Sequence, residues 1–153
     1  METAERAFAR DDWPTAFTSF RAATEAADLS ADQWYSLAES AWWLGEIDVA
    51  LDAFKRAHDD YVASGNLLRA AMSAVFLACH SLERGDAAAG SGWMNRTRRL
   101  LDDAPDGAAH GYPIYFRIFA AMGVGDLDAA MSLADEMGRI GRRFDDRALS
   151  RFR

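Results

Sequence analysis

Apolar residues recur along the whole chain at spacings of three and four, and no stretch alternates strictly between apolar and polar. That pattern predicts helices throughout and no strands. A short first helix covers residues 2–10, with Phe8 on its apolar side. Asp12 then reads as the N-cap of a second helix. Pro14 sits in its first turn, where a missing N–H costs nothing, and Ala16, Phe17, Phe20 and Ala23 form its buried stripe. Asp28-Leu29-Ser30 ends it, and Ser30 with Gln33 has the spacing of a capping box for a third helix carrying Trp34, Leu37, Ala38, Ala41, Trp42 and Leu44. Gly45 stops that helix. A fourth runs over residues 47–63 with Ala50, Leu51, Phe54, Ala57, His58 and Tyr61 inward, and Ser64-Gly65-Asn66 breaks it. A fifth spans residues 67–84, and Asp86 caps a sixth that ends near Asp102. The run Ala104-Pro105-Asp106-Gly107 is the strongest loop signal. A seventh helix holds Pro113, Ile114, Tyr115, Ile118, Phe119 and Met122 and ends at Gly125; Asp126 caps an eighth, with Leu127, Ala130, Leu133, Ala134 and Met137, which Gly141 interrupts. Residues 142–153, with Phe144, Leu149 and Phe152, read as the start of an unfinished ninth helix.

The breaks are periodic. Gly45-Glu46, Gly85-Asp86 and Gly125-Asp126 stand forty positions apart, each a glycine followed by an acid suited to the next helix N-terminus. Ala16, Phe20 and Ala23 recur thirty-four positions later as Ala50, Phe54 and Ala57. A small residue follows each turn (Ala16, Ala50, Gly90, Ala130), where it lets the two helices of a hairpin approach closely.

The run Trp34…Leu37-Ala38…Trp42…Gly45…Ala50…Phe54…Ala57 resembles a tetratricopeptide repeat. That repeat is a helix–turn–helix unit of about 34 residues. Ala38 stands where that family often has glycine, and no proline ends the unit near Ser64. The resemblance implies an all-α fold, a short right-handed superhelical solenoid of about four hairpins, or eight to nine antiparallel helices, in a single domain over residues 1–153. The hairpins would cover residues 2–28, 30–64, 67–103 and 111–141. The phrases AWWLGEIDVALDAFKRAH (residues 41–58) and GWMNRTRRLL (residues 92–101) also resemble the helical-repeat region of bacterial LuxR-type transcriptional regulators. In such proteins the helical part is sensory or scaffolding, and a separate domain gives the output.

In the repeat family the first helix of each hairpin lines a concave groove. The resemblance therefore implies ligand-facing positions at Tyr35, Glu39 and Trp42, at Met72, Val75, Cys79 and Leu82, and at Tyr115, Phe119 and Met122. The set is apolar and aromatic, without the basic clamp by which some members hold a peptide carboxylate. Such a face either binds an apolar peptide, an amphipathic helix or a small apolar ligand, or is closed by a further helix or a second copy of the chain. The C-terminal end lacks a polar cap, which favours a homodimer there. Trp42 and Trp43, being adjacent, must point to different sides of their helix.

Composition sharpens this picture. Among 153 residues there are 31 Ala and only three Pro, a strongly helical bias. No apolar run is long enough to span a bilayer, and the residues after Met1 do not read as a signal peptide, so a cytoplasmic location without membrane insertion is expected. The single cysteine, Cys79, fits a reducing compartment.

Candidate chemistry is sparse. Cys79 and His80 are neighbours, so their side chains diverge on a helix and form neither a catalytic pair nor a metal site; His58 and His110 are isolated. No phosphate-binding glycine loop is present, and the sole lysine, Lys55, lies mid-helix. The acidic doublets Asp11-Asp12, Asp59-Asp60, Asp102-Asp103 and Asp145-Asp146 read as caps and solvated ends. The net charge of −7 divides into +4 on residues 139–153 and −11 on the rest, a distribution that repels phosphate and argues against direct nucleic-acid binding. The expectation is a non-catalytic module without cofactor or metal. It would bind a protein or peptide through the groove, in bacterial regulation, or alternatively act as a sensory domain for a small apolar ligand.

Overall fold

In the computed structural model of the chain, residues 2–146 and 149 are described, the side chains of Glu2 and Phe119 excepted. Among them every regular element is helical: α1 (Glu2–Phe8), α2 (Trp13–Thr24), α3 (Ala31–Trp43), α4 (Ile47–Ala63), α5 (Leu67–Glu83), α6 (Ala87–Asp102), a 3-10 turn (Ala108–Gly111), α7 (Tyr112–Gly123) and α8 (Leu127–Arg143). The caps follow the side-chain chemistry. Ser30 and Gln33 close a reciprocal capping box on α3, and Asp12, Asn66, Asp86 and Asp126 each accept a hydrogen bond from the backbone N–H three residues on.

One turn is used six times among the described residues. Gly45, Gly65, Gly85 and Gly125 take positive φ of 75–79°, and Asp11 and Asp145 take 60° and 53° at equivalent places. In each case the next N–H reaches back to the carbonyl five residues earlier, as in Asp86 to Ser81 (2.8 Å), Asp126 to Ala121 (2.9 Å) and Asp146 to Gly141 (2.8 Å). This is the six-to-one bond that closes a helix end. From Gly45 onward the left-handed residue returns in even steps of twenty, at positions 45, 65, 85, 125 and 145. The position omitted is 105, which is proline. A pyrrolidine ring fixes φ at about −65° and cannot take the left-handed value. There the chain makes a longer connection through the 3-10 turn.

Packing follows this rhythm. Consecutive helices lie against each other from α1 to α6, as do α7 and α8, whereas α6 and α7 scarcely touch. The 3-10 turn instead fills in against α5, α7 and α8, and α5 meets α7. The core divides accordingly. A large cluster around Phe20, Leu37, Phe54 and Tyr61 belongs to α1–α5, a second around Ile114, Ile118, Met137 and Leu149 to α7, α8 and the segment after it, and a small third, Ala71, Leu101 and Ala109, joins α5, α6 and the 3-10 turn. The small residues after the turns are buried: Ala16, Ala50, Gly90 and Ala130. A Cβ at Gly90 would stand 2.6 Å from the Leu82 side chain, so α5 and α6 are in tight contact.

Two expectations are corrected. Gly141 does not interrupt α8, which continues to Arg143, because Gly138 and Gly141 lie on its buried side and the chain turns only at Asp145. The first helix ends at Phe8 rather than at residue 10, since Asp11 takes the left-handed turn. Asp146 accepts from the Leu149 N–H (3.0 Å) in the manner of an N-cap, and Leu149 is buried. Phe152 lies outside the described residues.

The same substitution should have opposite signs at two glycines. Gly85→Ala forces a Cβ into positive φ and should cost about 1–2 kcal/mol. Gly92→Ala, inside α6 with open space where its Cβ would stand, should gain about 0.5–1 kcal/mol from helix propensity. Urea unfolding of the two variants beside the parent chain checks both.

Candidate functional site

On α3, the spacing of Tyr35, Glu39 and Trp42 places the three side chains on one face; Val75, Phe76 and Cys79 on α5 and Tyr112 and Tyr115 on α7 do the same. These faces converge on a cavity of about 330 Å³, which Trp43, Phe54, Met137 and Leu149 complete. The volume falls in the range of small-ligand sites.

Its walls are held by aromatic packing. Phe54 and Phe76 stack in parallel (4.8 Å, 5°), Tyr35 meets both edge-on, and Trp42 meets Phe76 edge-on at 5.0 Å. The His80 ring lies 3.9 Å from the Trp42 ring. Trp43, largely exposed at 61%, stacks on Trp13 of α2 at 5.9 Å. Trp42 is thus part of the core that joins α3 to α5, while Trp43 forms an outer wall.

The polar groups are few and specific. Arg69 lies with its guanidinium carbon 4.2 Å above the Tyr35 ring, and its Nε donates to the Tyr61 hydroxyl (3.3 Å). Tyr61 in turn donates to Asp32, which also stands 3.6 Å from Arg69. Burial and the Asp32 hydrogen bond push the Tyr61 hydroxyl up to about 12. The Tyr35 phenol lies well above its ordinary value, mainly through burial. Tyr112 donates to Asp146 (3.2 Å), and burial raises it too.

Glu39 differs from these. Among the described residues its carboxylate has no hydrogen bond or ion pair. Desolvation raises its pKa, Arg69 partly opposes that, and Asp11 and Asp146 reinforce it. Burial also lifts the Cys79 thiol to about 12, with Glu83 adding to the shift, so the thiol stays protonated and is a poor nucleophile.

Two histidines are fully buried nearby. His58 Nδ1 donates to the Ala70 carbonyl (2.9 Å) and its Nε2 has no partner; burial lowers its pKa and keeps it neutral. His80 Nδ1 pairs with Glu83 (2.9 Å), and its Nε2 is likewise unpartnered. Among the described residues no group of three His, Cys, Asp or Glu stands close enough to hold a metal ion, and no helix is long and apolar enough to cross a membrane.

Of the ten positions read as a groove, Tyr35, Glu39, Trp42, Val75, Cys79 and Tyr115 line this one cavity. Met72 does not; it packs into the core against Ala71, Leu101 and Ala109. Leu82 is exposed beside Gly90, and Met122 is 53% exposed near the α7–α8 turn. The Phe119 side chain lies outside the described residues. Sequence spacing missed six lining residues. Tyr112 stands three residues before Tyr115, in the first turn of α7 and on the same face. Phe76 follows Val75 directly, and Met137 and Leu149 arrive from later segments with no local signal.

Glu39→Gln should raise the melting temperature at pH 7. A carboxyl whose folded pKa lies above its ordinary 4.5 favours the native state while protonated. Stability therefore falls as pH rises from 4.5 through the folded value. The glutamine variant escapes that loss, so its advantage should vanish below pH 4.5, which thermal melts across the range would show.

No family model, no curated protein and no solved structure matches this chain.

Proposed function

We propose that the chain is a non-catalytic, sensory binding module that takes a small, largely apolar ligand into the aromatic cavity between α3, α5 and α7. The observation that carries this reading is that side chains of α3, α5, α7 and α8 converge on one short concave site. Its roughly 330 Å³ is bounded on one side by α3 and α5 and on the other by Tyr112, Tyr115, Met137 and Leu149. An extended peptide or a docked helix would need a continuous run of anchors along an open groove. Of the positions such a groove would require, Met72 is packed into the core, and Leu82 and Met122 lie outside the site. A protein partner, the second reading, fits a different surface: the exposed Met122, Val124, Leu127 and Met131 around the α7–α8 turn.

The protonated Cys79 thiol, and the lack of a base held against a nucleophile among the described cavity residues, favour binding over chemistry. The tetratricopeptide-like solenoid belongs to the same proposal. It is supported by neighbour-to-neighbour packing, by the recurring turn and by the small residues where paired helices touch. A ligand held between α3–α5 and α7–α8 would fix the relation of these two parts, as the sensory region of a LuxR-type regulator would require.

Filling the cavity tests this. Cys79 is half-buried at its wall, so Cys79→Phe should occupy the space while leaving the fold intact. A neutral apolar dye, N-phenyl-1-naphthylamine, should fluoresce with the parent chain and lose most of that signal with the variant, while circular dichroism and thermal melts stay close to the parent. Equal fluorescence from both folded proteins would exclude the cavity as the binding site.

A further inference from the structure

The cavity is apolar in its walls but not in its electrostatics. Glu39 reaches it as an ionisable group with no hydrogen bond or ion pair among the described residues. The guanidinium that acts on it, Arg69, is already engaged by the Tyr35 face, the Tyr61 hydroxyl and Asp32. Other carboxylates act on the lining. Asp11 and Asp146 bear on Glu39, and Glu83 bears on both Cys79 and Tyr115. Among the described residues, the carboxylate that lines the cavity itself is Glu39. An anion entering this space meets the Glu39 carboxylate, and a neutral apolar molecule leaves that carboxylate without a partner among the described residues. An organic cation satisfies both features: its charge pairs with Glu39, and its body contacts tyrosine and tryptophan rings whose faces attract positive charge.

We propose that the cavity takes a small organic cation with an apolar body, a protonated arylamine or alkylamine or a quaternary ammonium, with Glu39 as its counter-ion. This rests on the cavity being the binding site, and it names the chemistry of what enters. Glu39, part-buried and without a hydrogen bond or ion pair among the described residues, gains a partner in the complex. Arg69, which is not among the lining residues, stays with Tyr35, Tyr61 and Asp32.

The test compares three probes that share a benzene ring and differ in charge: benzyltrimethylammonium, N,N-dimethylbenzamide and phenylacetate. Titration calorimetry of the full chain at pH 7 should give binding of the cation at least about tenfold tighter than of the amide, and none of phenylacetate, a tenfold ratio being about 1.4 kcal/mol. Glu39→Gln, which should fold at least as stably as the parent, should weaken the cation about tenfold and leave the amide unchanged. Glu39→Asp, which keeps the charge, should retain most of the cation's advantage. If the amide or phenylacetate binds as tightly as the cation, or Glu39→Gln leaves the cation's affinity intact, the cation inference is overturned while the cavity reading stands. If none of the three binds and the neutral dye also gives no cavity-dependent signal, both are overturned.

Discussion

The left-handed turn that recurs in steps of twenty positions is the constraint from which the rest of the structure follows. It requires a residue that tolerates positive φ and a free N–H on the next residue to reach back five positions. That next residue also caps the following helix through its side chain, Glu46 being the exception. Where the turn joins two described helices, at Asp11, Gly45, Gly65, Gly85 and Gly125, each helix packs on its predecessor. At Pro105 the first requirement fails outright, because a proline ring cannot take positive φ. The turn is replaced by a longer connection, α6 loses α7 as a neighbour, and a cleft lined by Leu101, His110, Ile114 and Arg117 separates them. The inner side shows the complementary effect. There α7, α8 and Leu149 come over the face of α3 and α5, and what would be an open surface becomes a cavity. Pro105 thus stands where the regular turn is skipped, and α7, α8 and Leu149 complete the concave site.

That site is built by the same aromatic residues that stabilise the core. Phe54 and Phe76 stack, Tyr35 and Trp42 close on them edge-on, and the remaining ring surface faces the cavity. Truncating Trp42 therefore cannot separate binding from stability, whereas changes at Cys79 and Glu39, which belong to the wall and not to the packed rings, can. The two buried histidines belong to the core as well. Each has one nitrogen satisfied and one without a partner among the described residues. For His58, burial lowers the pKa below its ordinary 6.5, so stability declines as pH falls from there through the folded value.

Helix positions and caps were legible in the sequence because they depend on local chemistry. Ser30 with Gln33, Asp86 and Asp126 announce helix starts by rules that need no tertiary information. The rhythm of the turns was half hidden. Gly45, Gly85 and Gly125 show every second beat of it, but Gly65 reads as an ordinary break and Asp145 as a solvated acid, since an aspartate in left-handed conformation leaves no compositional trace. Gly141 misled for the converse reason: a glycine within a helix and one ending it look alike until packing shows which side is buried. For the site, spacing on one helix identified Tyr35, Glu39 and Trp42 together, but it cannot say how far along each helix the cavity extends. Met72, Leu82 and Met122 share their helices with true lining residues and fall outside because the cavity is short.

Glu39 shows why a short cavity is more informative than a long groove. A half-buried carboxylate with no hydrogen bond or ion pair among the described residues is a cost to the folded chain. Glutamine would fit the same space without the charge. Core residues such as Leu37 and Phe54 are explained by the free energy of burial alone; Glu39 is not. A residue that weakens the free protein and faces a cavity of ligand size is best explained by what occupies that cavity, since stabilisation withheld from the empty state is available to the complex. The same reasoning leaves Asp32 and Arg69 out of the site. Their charges are already used, by each other and by Tyr61, in the free protein.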